Sequence, residues 1–364
     1  MPKTRVLVVD DAVVVRRMVA DAIADDPDMV VAGVAANGKI ALQMLDQVQP
    51  DVVILDVEMP EMDGLQTLAE LRKTRPRLPV LMFSTLTKRG AAITIDALSL
   101  GASDYIAKPS ASGPPEQTLA EVRQNLLQKI RALCPKQSVA SPPPKRDTAQ
   151  LIRTALPHVN VAPDLVAIGV STGGPTALGE IIPRLPANLP VPVLIVQHMP
   201  ALFTPLLAER LGLKAKLKVV EAKTGMTADA GVVYIAPGDY HMEVLRVGRV
   251  LRLGLHQGPP ENSCRPSVDV MFRSVATNVA SRTLAVILTG MGQDGLLGCE
   301  RIREMGGRIF AQDKESSVVW GMPGFVVQAG LADRVLPLSS VADAIVQAVM
   351  EHRIVATRAI PAVR

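Results

Sequence analysis

Short apolar runs recur along the chain, and the stretches between them carry apolar residues at helical spacing. Residues 6–9 form one such run, ending at Asp10 and Asp11, and residues 30–35, 52–55, 80–83 and 105–107 repeat it. Between them Ile40, Leu42, Met44, Leu45 and Val48, then Leu65, Leu68 and Leu71, follow a helical period. Strands alternating with helices in this way predict a doubly wound parallel sheet over residues 1–133.

From Cys134 to about residue 162 the pattern breaks. Ser141, Pro142, Pro143 and Pro144 are followed by Lys145, Arg146 and Asp147, which reads as a semi-rigid linker with room for a short helix over residues 150–156. After Asp164 a second α/β pattern begins, with compact runs at residues 165–170, 191–196, 232–236 and 283–288 and shorter ones at 311–312 and 335–336. Residues 244–255 alternate, with two glycines inside, and predict a hairpin outside the parallel core; residues 341–350 predict a closing helix. The expected division is a first domain at 1–133, a linker at 134–162, a second α/β domain at 163–352 and a tail at 353–364.

Composition supports this picture. Of 364 residues, 48% are hydrophobic and only 2% aromatic, so the cores rest on Val, Ile, Leu, Ala and Met, as buried parallel strands do. The net charge of +4 comes with short basic clusters, Arg72, Lys73, Arg75 and Arg77, then Lys214, Lys216 and Lys218. No aromatic residues alternate with them, so they read as solvated faces and no nucleic-acid partner is expected. Cys134, Cys264 and Cys299 are odd in number, without metal-ligand spacing, and fit reduced thiols in a cytoplasmic protein. Asp10 and Asp11 interrupt the first apolar run too early for a signal peptide, and no run approaches the ~18 residues that span a bilayer, so no membrane insertion is expected.

In a parallel sheet, functional groups gather beyond the carboxyl ends of the strands. Asp10 and Asp11 end the first expected strand, Asp56 the third and Ser84 the fourth, while Lys108 follows the fifth. Clustered carboxylates repel unless a cation joins them, and an oxygen-only set suits Mg²⁺, which shares its ligands with phosphate. If one carboxylate accepts a phosphoryl group, metal and lysine offset the added charge. A Ser84 hydroxyl then bonds the phosphate and moves its loop.

The second domain carries Gly169-Val170-Ser171-Thr172-Gly173, a G-x-S-x-G pattern after a strand and before a helix that Pro175 opens. A serine nucleophile needs a base, and the base an orienting acid. Ser171, His198 and Asp294 all fall just past expected strand ends, and one crevice accommodates all three. This order differs from the Ser, acid, His order of α/β-hydrolases; Ser171, Asp239 and His256 would preserve that order and stand as an alternative. His241 reads first as a loop-bonding residue, and Cys264 and Cys299 as small core residues.

VLVVDD, VVILDVEMPEMDG and Lys108-Pro109 resemble the receiver domain of two-component response regulators. IGVSTGGPTAL, VLIVQHMP, YIAPGDYHM, CRPSVDVMF, ILTGMGQDG and QDKESSVVWGMPG resemble the chemotaxis protein-glutamate methylesterases, the CheB family. The resemblance implies an α/β chain with a flavodoxin-like receiver joined to a doubly wound catalytic domain. It implies Asp56 as phosphoacceptor and Asp10, Asp11, Asp56 and the Glu58 carbonyl as Mg²⁺ ligands. Ser84, Lys108 and Tyr105 then take switch positions. In the catalytic domain it implies Ser171 as nucleophile, His198 as base, Asp294 as orienter, an oxyanion contact from the Met291 backbone and support from Thr172. The implied activity is hydrolysis of glutamyl methyl esters, with deamidation of glutamines, on methyl-accepting chemoreceptors, and the implied phosphodonor is the chemotaxis histidine kinase. In the expected regulation the unphosphorylated receiver restricts the Ser171 crevice. A transcriptional regulator would need a helix-turn-helix pattern that the second domain lacks, and a non-enzymatic switch would release no methanol.

Overall fold

The computed structural model describes residues 2–85, 87–108, 115–135 and 161–358, in two compact units, Met1–Ser141 and Pro142–Arg364. Most of the expected linker, with the helix expected at 150–156, lies outside the described residues, as does Pro109.

In the first unit β1 (Thr4–Val9), α1 (Val13–Ala24), β2 (Met29–Ala35), α2 (Gly38–Val48), β3 (Val52–Asp56), α3 (Gly64–Thr74), β4 (Val80–Ser84), α4 (Lys88–Ser99), β5 (Asp104–Ala107) and α5 (Pro115–Leu133) alternate. The parallel sheet runs β2-β1-β3-β4-β5, so its order reverses between β1 and β3. Every residue of β3 is buried, which is why its run of Val52, Val53, Ile54 and Leu55 is apolar on both faces. The start of α3 is set by a capping box: Gln66 N–H donates to Asp63 Oδ1 at 2.8 Å, and Asp63 N–H to Gln66 Oε1 at 3.2 Å. Gly64, its first residue, lies against the backbone of the strand end; a Cβ there would sit 2.2 Å from the Asp56 carbonyl oxygen. Only glycine lets α3 start this close to Asp56.

The second unit contains β6 (Leu165–Val170), α6 (Gly174–Ile181), β7 (Val193–Gln197), α7 (Thr204–Gly212), β8 (Lys218–Glu221), β9 (Val232–Ile235), β10 (His241–Val247), β11 (Val250–His256), α8 (Val268–Val279), β12 (Thr283–Ile287), α9 (Leu296–Glu304), β13 (Arg308–Gln312), α10 (Met322–Gln328), β14 (Arg334–Leu336) and α11 (Leu338–Arg358). Seven parallel strands run β14-β13-β12-β6-β7-β9-β8, reversing between β6 and β12, and β10 and β11 form the separate hairpin expected from their alternation. Lys214, Lys216 and Lys218 are exposed, as a solvated basic cluster should be, and Lys218 opens the edge strand β8. One expectation needs correction: the closing helix reaches Arg358, into the expected tail.

α8 binds the layers together. Met271, Phe272 and Val275 join Leu165, Ala167 and Leu194 in one core cluster, and burying a side chain the size of Phe272 contributes about 1.5–3 kcal/mol. Its outer face holds the hairpin, through Val244 N–H to Ser274 Oγ and Asn278 Nδ2 to the Val244 carbonyl, both at 3.0 Å.

Candidate active site and phosphoacceptor cluster

In the first sheet Val9 pairs with Leu55, so Asp10 and Asp56 stand side by side one step further, at the point where the strand order reverses. Lys108 Nζ lies 2.8 Å from Asp10 Oδ2 and 2.8 Å from Asp56 Oδ1, and its own N–H donates to the Ser84 carbonyl at 2.7 Å. Burial pushes the Asp56 carboxyl up to about 6; Lys108 pulls it down and the Asp10 charge pushes it up again. Burial also opposes the Lys108 charge, but the two carboxylates outweigh it and its pKa is raised. Donor oxygens of Asp10, Asp11 and Asp56 lie within 4.8 Å of one another, and the buried Asp10 Oδ2 finds no hydrogen bond beyond its ammonium contact. This all-oxygen set fits a hard divalent cation. Ser84 Oγ lies 3.3 Å from the carbonyl of Thr85, just after β4, and 3.3 Å from that of Gly90, in the first turn of α4. Tyr105 is buried beneath the Lys129 ammonium, 5.2 Å from its ring centroid, and the Glu58 side chain pairs with Arg89 at 3.0 Å.

The second sheet repeats this logic. Val170 pairs with Gln197, so Ser171 and His198 emerge side by side from β6 and β7, and Asp294 comes from the loop after β12, across the reversal point. Gly173 at φ 79 makes the turn that carries the chain from Ser171 into α6, a conformation that suits glycine. Asp294 is buried and receives an unusual set of donors: Ser267 Oγ at 2.8 Å, Asn262 Nδ2 at 3.0 Å, and the N–H groups of Val268, Asp269 and Gly295 at 2.7, 3.1 and 3.1 Å. Two of these N–H groups open α8, so the helix terminus favours the charge. Asp294 Oδ2 also lies 2.7 Å from His198 Nε2. Burial opposes ionisation of Asp294, but His198 and these donors hold its pKa below the usual carboxylate value. Burial likewise opposes a charged His198, yet Asp294 and then Cys264 push it up to about 10. Ser171 Oγ and the Met291 N–H make no hydrogen bond among the described residues. Gly290, the residue before Met291, packs against the serine: a Cβ on it would lie 2.8 Å from that of Ser171.

Residues 166–345 match the family model for the CheB methylesterase, and residues 6–119 match that for the response regulator receiver domain. A relative from Trichodesmium erythraeum, named protein-glutamate methylesterase/protein-glutamine glutaminase, is 49% identical over 95% of this chain and 99% of its own. One of the same name from a Nocardioides species is 48% identical over 97% of each chain. The chain belongs to the CheB methylesterase family. The crystal structure of the Thermotoga maritima CheB methylesterase catalytic domain is similar at 43% identity and a TM-score of 0.50, covering 51% of this chain and 99% of that one.

Elsewhere in the second unit, the alternative triad does not assemble. Asp239 pairs with Arg265 at 2.5 Å and accepts from Gln257, while His256 Nε2 faces Glu243 at 3.5 Å. His241 does hold a loop: its Nδ1 accepts from Ser267 N–H at 3.2 Å and its Nε2 meets the Pro259 carbonyl at 3.0 Å. Thr172 is buried, and its carbonyl accepts from Thr289 Oγ1 at 2.9 Å. Trp320 bridges Gly290 at the rim of the site, with its Nε1 donating to the Gln312 carbonyl at 3.2 Å. Sequence reasoning missed Asn262, Ser267 and Asp269 around Asp294. Asn262 Nδ2 bridges Asp294 and Asp269, and burial beside Asp294 raises the Asp269 pKa. It also read Cys264 as a core residue; its Sγ instead lies half-buried, 3.6 Å from His198 Nδ1.

Proposed function

We propose that this chain is a phosphorylation-regulated serine hydrolase that demethylates glutamyl methyl esters, and deamidates glutamines, on chemoreceptors in chemotaxis adaptation. The observation that carries this reading is the buried, charge-stabilised Asp294 bonded to His198, one strand away from Ser171 on a glycine turn. Because Asp294 takes Nε2, Nδ1 is the nitrogen of His198 that serves as base. Nδ1 removes the Ser171 proton as Oγ attacks the ester carbonyl, and the Met291 N–H receives the developing oxyanion. Donors of that kind contribute on the order of 3–4 kcal/mol. His198 then protonates departing methoxide, and methanol leaves. Water attacks the acyl-enzyme with His198 again as base, restoring glutamate and free Ser171. With a glutamine side chain the leaving group is ammonia, and Thr172 supports the turn that presents Ser171.

Asp56 is the phosphoacceptor in this reading, and the chemotaxis histidine kinase the phosphodonor. Asp10, Asp11, Asp56 and the Glu58 carbonyl hold Mg²⁺, which supplies positive charge for the incoming phosphoryl oxygens. Lys108 and Ser84 bind the phosphate, and Tyr105 reorients with the β4–α4 loop. No described helix is long and apolar enough to cross a membrane, which supports a cytoplasmic enzyme acting on the cytoplasmic segments of receptors. The test is methanol release from methylated receptor membranes before and after a small phosphodonor. Wild type should accelerate and Asp56→Asn should not; equal acceleration of both would remove Asp56 from the regulation.

A further inference from the structure

The Cys264 thiol has no part in that reaction, yet the chain goes to some length to hold it beside the base. Cys264 closes a tight turn whose N–H and carbonyl groups exchange bonds with Glu261 at 2.8 and 3.1 Å. Inside the turn Asn262 and Ser263 take left-handed backbone, φ 51 and 61, which costs non-glycine residues about 1 kcal/mol or more each. Asn262 offsets that cost by donating to Asp294 and Asp269, both at 3.0 Å, so the turn is anchored on the carboxylate that orients His198.

The geometry of the pair suits a soft metal ion. Zinc bonds of about 2.3 Å to sulfur and 2.0–2.1 Å to nitrogen, at a tetrahedral angle, put the two ligand atoms about 3.5–3.6 Å apart. Cys264 Sγ and His198 Nδ1 are 3.6 Å apart. Asp294 on the opposite ring nitrogen completes the carboxylate–histidine arrangement that orients metal-bound imidazoles. Donor atoms of His198, Cys264 and Asp294 all lie within 4.8 Å of one another. Cys264 is half-buried and the His198 side chain 12% exposed, so solvent or substrate oxygens can reach the remaining positions. Nitrogen and thiolate donors select zinc-like ions, whereas the acidic oxygens of the first unit select magnesium.

We propose that Cys264 and His198 form a zinc-binding pair that switches the hydrolase off by occupying the nitrogen that takes the Ser171 proton. Binding releases the thiol proton, and the Nδ1 proton where the ring is charged, so zinc and hydrogen ions compete. Inhibition rests on His198 acting as the base; binding does not. The other thiols compete poorly: burial and Asp51 push Cys134 up to about 12, and Cys299 is fully buried.

The test uses the full-length protein and Co²⁺ as a spectroscopic stand-in for Zn²⁺. Wild type should show a thiolate-to-cobalt charge-transfer band that Zn²⁺ displaces, and Cys264→Ser should lose it. Micromolar Zn²⁺ should slow wild-type methanol release at least about a hundredfold, reversibly with EDTA, as removal of a general base does. Each variant is compared with its own metal-free rate, and Cys264→Ser should be insensitive over the same range. No band in wild type, or a band that persists in Cys264→Ser, overturns the zinc site. A Cys264-dependent band without inhibition overturns the switch.

Discussion

Oδ2 of Asp294 lies 2.7 Å from Nε2 of His198, on the far side of the ring from the nitrogen that meets Cys264. In the proposed mechanism the acid thereby selects which nitrogen carries the ring proton of the neutral imidazole and leaves Nδ1 as the base.

The pH dependence follows from this pair. A base must be neutral to accept a proton, and Asp294, with Cys264, holds the His198 pKa up to about 10. Methylester hydrolysis by wild type should therefore rise with pH through neutrality into the alkaline range. Asp294→Asn removes the charge, so the rising limb should move down toward about 6.5 while the plateau falls by about 10³–10⁴-fold. A pH–rate profile of both proteins checks this; identical limbs would mean that Asp294 does not tune His198.

Ser267 Oγ donates to Asp294 inside the protein, at 2.8 Å. Replacing it with alanine leaves a buried carboxylate short of one donor and should cost about 1–3 kcal/mol of stability. The same change should lower esterase activity without changing phosphorylation of the receiver. Thermal unfolding and methanol release, measured together, separate the two effects.

In the receiver, Lys108 bridges Asp10 and Asp56 at 2.8 Å to each. Lys108→Ala leaves two buried carboxylates facing each other and should destabilise this unit by up to about 3 kcal/mol. Mg²⁺ supplies the missing charge, so it should raise the melting temperature more in this variant than in wild type. Equal shifts would argue against cation binding at the acidic trio.

Gly64→Ala places a methyl group 2.2 Å from the Asp56 carbonyl oxygen, and the start of α3 must shift. A loss of about 1–3 kcal/mol is expected, with slower phosphorylation of Asp56 by a small phosphodonor. Phosphorylation at the wild-type rate would mean that this close approach does not set the acceptor's position.

Residues at strand ends were legible because parallel sheets place them by a simple rule. Asp10, Asp56, Ser84, Lys108, Ser171 and His198 all follow apolar runs, and register alone makes Asp10 a neighbour of Asp56 and Ser171 a neighbour of His198. Asn262, Ser267 and Cys264 were not legible, because a loop brings them back onto the start of α8 and no periodicity announces that fold-back. Asp239 and His256 fitted an acceptable chain order, but Asp239 pairs with Arg265 and His256 Nε2 lies 3.5 Å from Glu243. Chain order constrains a triad without locating it.

The most direct test of the account is methanol release from methylated receptor membranes by wild type and by Ser171→Ala at equal folded concentration. The account predicts release by wild type and a loss of at least about 10³-fold in the variant. Release by Ser171→Ala at the wild-type rate would contradict it.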